Sequence, residues 1–337
     1  MMTSEIKSQI SFDKSHLLFV DPFLKQFFRT TKAYTCFHLL FFFIGITELL
    51  IFLLLFPFLA HSALLAVTFA ALFLTTFIYL TLRIYFQTQK PDQFRKLLEQ
   101  YVMECKNSYG NIKTSAEYHV HIAQACSKLA SSLQGKEYEF YKVPRWLDFL
   151  TPFIEKFSCW WHWYDLHTMK EMLLKRSVHE HIQMVKSEPT NLEFHAALAN
   201  AYVMLSGLYI DPRKIEGFDD DDRWIPHNHY SSLLKDKFRS TAKKAIEEFK
   251  ILSEYAPNDP WVHTQLAYSY HDLQMPEEET HEYEIILKLR PNDSDILYKL
   301  GTLYFQQGRN ARGLQIYEEL KTIDYKKAED LIQHYAN

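Results

Sequence analysis

Two long apolar runs near the N-terminus constrain this chain more than any other feature. Residues 36–56 read CFHLLFFFIGITELLIFLLLF and residues 62–82 read SALLAVTFAALFLTTFIYLTL, 21 residues each. At 1.5 Å rise per residue each would measure roughly 30 Å as a helix, the thickness of a bilayer's hydrocarbon core. The joint from Pro57 to His61 is too short for a domain and opens on a helix breaker. The pattern predicts a transmembrane helical hairpin over 36–86, with spans at 36–56 and 62–82. A cleaved signal peptide, with Ala60-His61-Ser62 as its cleavage site, fits less well. The 35-residue leader and the apolar run are both too long, and a second span follows at once.

Charge gives the orientation. Residues 1–90 hold seven Lys/Arg against four acidic residues, whereas 91–337 hold thirty against thirty-seven. Five basic residues precede the first span, none lies in the joint, and Arg83, Lys90, Arg95 and Lys96 follow the second. The positive-inside rule then places both termini on the cytoplasmic side. Residues 1–35 form a cytoplasmic tail whose apolar and basic stretch from His16 to Arg29 suits either the headgroup region or an extended course. The acidic remainder repels phosphate backbones, which excludes a nucleic-acid partner.

Glu48 stands near the middle of the first span, where a charge costs several kcal/mol unless it is neutralised or paired. Counting equal depths from the joint places it opposite Thr68 to Ala71, beside the small-residue face of Ala66 and Ala70. It reads as a polar contact that fixes hairpin or homo-oligomer packing. The alternative is a proton or ion relay, for which two spans lack other ionisable groups.

Beyond Pro91 the apolar residues recur at helical spacing and runs of β-branched residues are absent, so the fold class is all-α. Only 8 glycines occur in 337 residues, which argues against Gly-rich phosphate loops and many tight turns. Residues 91–188 are helical, either as degenerate repeats or as a separate bundle. From 189 onward a period appears. Pro257-Asn-Asp and Pro291-Asn-Asp lie 34 residues apart, as do Leu266 and Leu300, Tyr270 and Tyr304, and Tyr283 and Tyr317. Each unit reads as two helices with one shared apolar face, which only the next unit can cover.

These residues resemble tetratricopeptide (TPR) repeats. Leu300-Gly301 with Tyr304, and Leu266-Ala267 with Tyr270, match the first-helix signature, while Tyr317 and Leu320 match the second. Gly313 stands where Ala is usual, and Glu279 where a small residue is usual. An earlier copy begins at Pro189, with Leu198-Ala199, Tyr202, Ala245, Phe249 and Leu252. It is interrupted by an insertion of 34 residues centred on 206–236. Residues 330–335 are expected to belong to a terminal solvating helix. The fold expected is a transmembrane helical hairpin followed by a TPR-like α-solenoid over 189–337.

The resemblance implies a partner-binding groove on the first helices. Its positions fall at Glu193, Ala196, Asn200 and Val203; then at Trp261, Thr264, Tyr268 and His271; then at Asp295, Tyr298, Thr302 and Phe305. Aromatic residues among small polar ones suit a peptide helix or an extended segment. The basic positions with which chaperone-binding members hold a C-terminal carboxylate are missing. The hairpin, with both ends on one side, is also similar to the bilobed segment of chlamydial inclusion membrane proteins. That likeness implies a host-facing inclusion membrane in place of a bacterial inner membrane.

Catalytic chemistry finds little support. G-x-S-x-G, G-x-x-x-x-G-K-[ST] and H-E-x-x-H are absent. His119/His121 and His179/His181 are spaced i,i+2, so each pair diverges on a helix. Asp219, Asp220, Asp221 and Asp222, followed by His227 and His229, lack the Gly and Glu of an EF-hand. They read as a solvated acidic loop, or as a contact for a basic partner. Cys105, Cys126 and Cys159 read as buried structural thiols, and Trp160-Trp161-His162-Trp163-Tyr164 as core or membrane-proximal packing. The function expected is a membrane-anchored protein–protein interaction scaffold, without enzymatic activity, cofactor or metal. Its partners would be a protein or peptide and the lipid bilayer. The alternatives are a membrane-bound metal-dependent enzyme using the Asp/His insertion, and an assembly subunit of a membrane complex in which Glu48 is the key contact.

Overall fold

The computed structural model describes residues 2–59, 64–108, 115–214, 224–226 and 229–335, and these fold as helices without a strand. Helices α1 (Met2–Leu59), α2 (Leu64–Ser108), α3 (Ser115–Ser132) and α4 (Thr151–Ser187) come first, with short 3-10 turns at Lys136–Tyr138 and Arg145–Leu150. They are followed by α5 (Leu192–Gly207), α6 (Ser232–Tyr255), α7 (Pro260–Asp272), α8 (Pro276–Leu289), α9 (Ser294–Gln306), α10 (Asn310–Ile323) and α11 (Tyr325–Ile332). The chain divides into two compact units, residues 1–177 with 220–229, and residues 178–219 with 230–337.

In the first unit, α1 and α2 pair along their length through Phe52 against Phe69, Phe37 against Phe86, and Tyr34 Oη donating to Gln93 Oε1 at 3.0 Å. Both helices are longer than the apolar runs. α1 continues through Pro57, and α2 through Pro91 to Ser108. A proline inside a helix removes one hydrogen bond and crowds the preceding turn. Packing supports the helix on the far side of Pro91, where Phe94, Leu97, Tyr101 and Cys105 are buried. Residues 20–35 are accordingly not an extended tail: they continue α1 and bury Val20, Phe23, Phe27 and Thr31. Phe27 meets Phe94 at 5.2 Å and Phe28 meets Phe140 at 4.6 Å between ring centroids. Tyr101 Oη donates to the Ala125 carbonyl of α3 at 3.1 Å.

In the second unit, α5 with α6, α7 with α8, and α9 with α10 form three successive helical hairpins, with α11 against α9 and α10. The breaks between hairpins are capped in the same way. Asn191, Asp259 and Asp293 accept from the backbone N–H two residues on, at 3.1, 2.9 and 3.1 Å. Leu266, Ala267, Leu300 and Gly301 are buried where the paired helices approach. A Cβ on Gly301 would stand 2.6 Å from Leu331 Cδ2 of α11. The architecture is an all-α, TPR-like solenoid. The terminal helix starts earlier than residues 330–335, because Asp324 caps it by accepting from Lys327 N at 3.2 Å.

The insertion divides between the units. α6 has 24 residues where α8 and α10 have 14, so part of the insertion lengthens a helix. Residues 220–229 belong to the first unit, where the Trp224 carbonyl accepts from Tyr138 Oη at 3.0 Å and Trp163 meets His229. Asp219, Asp220, Asp221, Asp222 and His227 lie outside the described residues, as does Ala60-His61-Ser62.

Candidate partner-binding face

The first helix of each hairpin presents side chains that its own packing does not use. On α7, Trp261 is 43% and Tyr268 46% exposed, and His271 is exposed between the hairpins' caps and turns. Helical spacing explains their shared face, since 261, 264, 268 and 271 follow an i, i+3, i+7, i+10 pattern. Thr264 is half-buried and returns its hydroxyl to the Pro260 carbonyl at 2.7 Å. On α5, Glu193, Asn200 and Val203 are exposed and Ala196 is half-buried.

On α9 the expected face is partly occupied by α11. Lys327 Nζ lies 2.7 Å from Asp295 Oδ1, and this ion pair holds the exposed Asp295 carboxyl below its usual range. Tyr298 Oη lies 3.3 Å from His334 Nε2, and Thr302 donates to the Tyr298 carbonyl at 2.9 Å. Phe305, expected in the groove, is only 7% exposed. Its ring covers Gly313, where a Cβ would stand within 3.0 Å of three ring atoms. The aromatic ring fills the volume that Ala usually takes in the second helix, so one replacement explains the other.

The same relation accounts for Glu279, eight residues after His271 as Gly313 is eight after Phe305. Glu279 is buried, and His271 Nδ1 lies 3.1 and 3.2 Å from its two carboxylate oxygens. Burial pushes the Glu279 carboxyl above its usual range, against the opposing pull of His271. The groove histidine thus reaches over the position where α8 carries its departure from the repeat pattern.

Lys299 was not legible as a groove residue. Its Nζ donates to Tyr268 Oη at 3.2 Å and lies 4.7 Å from the Tyr268 ring centroid. The signal is its separation of 31 residues from Tyr268, three short of the period, which places it one helical turn back on the next first helix. The face therefore combines the Trp261 and Tyr268 rings with the Lys299 cation and the His271 imidazole.

Burial pushes the Cys105 thiol up to about 11 and the Cys159 thiol up to about 12, far from a reactive thiolate. Among the described residues no three His, Cys, Asp or Glu side chains converge as a metal set.

Within the α1–α2 pair, Thr75 Oγ1 donates to Glu48 Oε1 at 2.8 Å. The partner is about one turn beyond the expected Thr68 to Ala71, because α1 continues past Pro57 to Leu59 and displaces the register. Glu48 Oε2 is buried without a hydrogen-bond partner.

No family model matches the chain, and no curated protein matches it. Among solved structures it is similar to MamA from AMB-1, at 15% identity over 72% of this chain and 91% of that one, with a TM-score of 0.35. MamA from MSR-1 gives 14% identity, 72% and 97% coverage and a TM-score of 0.34. The TPR2AB domain of yeast Sti1, in a pHSP90 complex, gives 15% identity, 73% and 94% coverage and a TM-score of 0.25. The fold assignment rests on this chain's own hairpins, their period and their caps.

Proposed function

We propose that this protein is a membrane-anchored scaffold that recruits a protein or peptide partner through the exposed face of α5, α7 and α9. The observation that carries the reading is the pair Trp261 and Tyr268, two large aromatic side chains held in water on one helix face by a capped, packed hairpin. Exposed aromatics that cost little entropy to immobilise are the residues that dominate binding energy at protein interfaces. Membrane anchoring is supported by the apolar windows of α1 and α2, with mean hydropathy 2.8 and 2.1. Leu54, Phe73 and Phe77 of these helices point away from the protein. Both termini would lie on the cytoplasmic side by the charge distribution. Tethering raises the local concentration of a bound partner without catalysis.

The test uses the full chain in lipid nanodiscs with a photo-crosslinking residue at Thr264. A discrete adduct that disappears in the Trp261→Ala/Tyr268→Ala variant supports recognition through this face. Equal capture by both proteins overturns it.

Glu48 favours a second reading, assembly of copies through the hairpin. Its orphaned Oε2 is the kind of polar atom that a neighbouring helix satisfies in a membrane. Glu48→Leu would then abolish cross-linked oligomers in membranes and leave capture at Thr264 unchanged.

A further inference from the structure

The segment from Trp146 to Tyr164 carries a row of aromatic side chains that the described residues of its unit leave exposed. Trp146 is 78%, Phe149 76% and Phe153 70% exposed, and Trp160 and Tyr164 continue the row. Spacings of seven and four residues keep Phe153, Trp160 and Tyr164 on one side of the first half of α4, and Trp146 and Phe149 precede them in the 3-10 turn, which is kinked at Leu147. Asp148 and Glu155 are exposed outside that row, and the exposed Lys156 lies within it, three residues after Phe153 and four before Trp160. The segment is amphipathic, with its aromatic side turned outward.

Two contacts fix where α4 lies against the hairpin. Asp165 is ion-paired with Lys90 at 2.6 Å, and the Lys90 ammonium lies 5.0 Å from the Tyr34 ring centroid. One turn earlier on α4, Trp161 meets His38, one turn further along α1 and inside the first apolar run. Moving toward the N-terminus of α4 thus moves toward the lipid side of α1. Eight residues, roughly 12 Å of helix, carry Phe153 on from Trp161 toward the acyl chains, while Trp160 and Tyr164 stay at the level where the spans begin. Trp and Tyr at this level, with charged residues on the other side, are the composition of an element at the headgroup boundary.

We propose that residues 145–164 form an interfacial element whose aromatic row enters the headgroup and acyl boundary of the leaflet where the two spans end. The inference rests on the membrane-spanning reading of α1 and α2, and its occupant is the lipid surface itself. The element would fix the height and tilt of the first unit at the bilayer, a role that two spans alone leave open.

The experiment places nitroxide labels on the full chain in a Cys36→Ser background, the other cysteines being buried. Labels go at Phe149→Cys, Phe153→Cys, Glu155→Cys, Phe73→Cys and Lys326→Cys, in vesicles of phosphatidylcholine and phosphatidylglycerol. Accessibility to oxygen and to a polar nickel complex is then measured. The expected result is an oxygen-to-nickel ratio at 149 and 153 several-fold above that at 326, a lower ratio at 155, and the highest at 73. Ratios at 149 and 153 equal to that at 326, with 73 still deep, overturn the inference and leave the spans standing. Low accessibility to both reagents at 149 and 153, relieved by diluting protein in lipid, shows a second copy on this face and also overturns it. A label at 73 with the accessibility of 326 removes the spans and the inference together.

Discussion

His263 Nδ1 lies 2.6 Å from Glu282 Oε2, while Nε2 of the same ring lies 2.9 Å from the Pro257 carbonyl oxygen. One hairpin earlier the arrangement recurs. His195 Nδ1 lies 2.6 Å from Glu248 Oε2, and its Nε2 lies 2.9 Å from the Pro189 carbonyl oxygen. Each ring therefore ties the second helix of its hairpin to the break that precedes the first. The third hairpin carries Leu297 and Ile316 at the corresponding positions, both buried. A polar clamp and an apolar contact fill the same place in one repeat design.

That substitution within the chain suggests its own experiment. His263→Leu alone leaves the buried Glu282 carboxylate without its partner, and breaking a buried pair costs about 3–5 kcal/mol. His263→Leu with Glu282→Ile reproduces the third hairpin and should cost under about 1.5 kcal/mol, since an apolar pair replaces a polar one. Amide hydrogen exchange in α7 and α8 of the full chain reads both values. Equal destabilisation by the single and double variants would show that the pairing is not what stabilises the hairpin.

The clamp at His195 makes the first hairpin depend on pH. Burial of the ring opposes its charge, but the Glu248 carboxylate and the Pro189 carbonyl outweigh it and hold the imidazole above its usual range. The unfolded imidazole titrates near its ordinary value of about 6.5. A raised folded value means that this stabilisation is complete below that point and is lost as pH rises through the folded value. Protection of α5 and α6 amides, corrected for intrinsic exchange, should therefore fall across neutral pH. His195→Leu/Glu248→Ile should remove the slope, and an unchanged slope would place its origin elsewhere.

The 34-residue period, its Pro-Asn-Asp breaks at 257 and 291, and the signature pairs Leu266-Ala267 and Leu300-Gly301 were legible because they are local or strictly repeated. The clamps were not, since His195 and His263 occupy first-helix positions where the resemblance supplies no histidine. Phe305 was misread as a groove residue because a register assigns it to the exposed side, whereas Gly313 opens a space that draws the ring inward. The partner of Glu48 was off by a turn because register depends on where α1 ends, and Pro57 does not end it. Residues 20–35 looked tail-like because their burial depends on Phe94 and Tyr101, more than sixty residues away.

The exchange between Phe305 and Gly313 gives a size test. Gly313→Ala places a methyl group inside the Phe305 ring and should destabilise α9 and α10 by about 1–3 kcal/mol through overpacking, despite the better helix propensity of Ala. Phe305→Leu in the same chain vacates part of that volume and should recover most of the loss. Urea unfolding of the full chain in detergent, with exchange in α9 and α10 as the local readout, checks both. A stabilising Gly313→Ala would mean that the ring moves aside freely.

Gln274 and Gly308 lie 34 residues apart, and both adopt left-handed backbone, with φ of 57° and 71°, in the turns that join α7 to α8 and α9 to α10. Glycine takes this conformation without a Cβ penalty, whereas an ordinary L-residue loses about 1–2 kcal/mol there. The turn demands it in both hairpins: Met275 N donates to the Tyr270 carbonyl at 3.0 Å, and Arg309 N to the Tyr304 carbonyl at 2.8 Å. Gln274→Gly should therefore stabilise α7 and α8 by about 0.5–1 kcal/mol, the relief of strain being partly offset by the greater freedom of glycine in the unfolded chain. Gly308→Gln should cost a similar amount in α9 and α10. Exchange protection in the two hairpins must move in opposite directions for the pair of variants. A loss in both hairpins would mean that the Gln274 side chain contributes more than its backbone conformation costs.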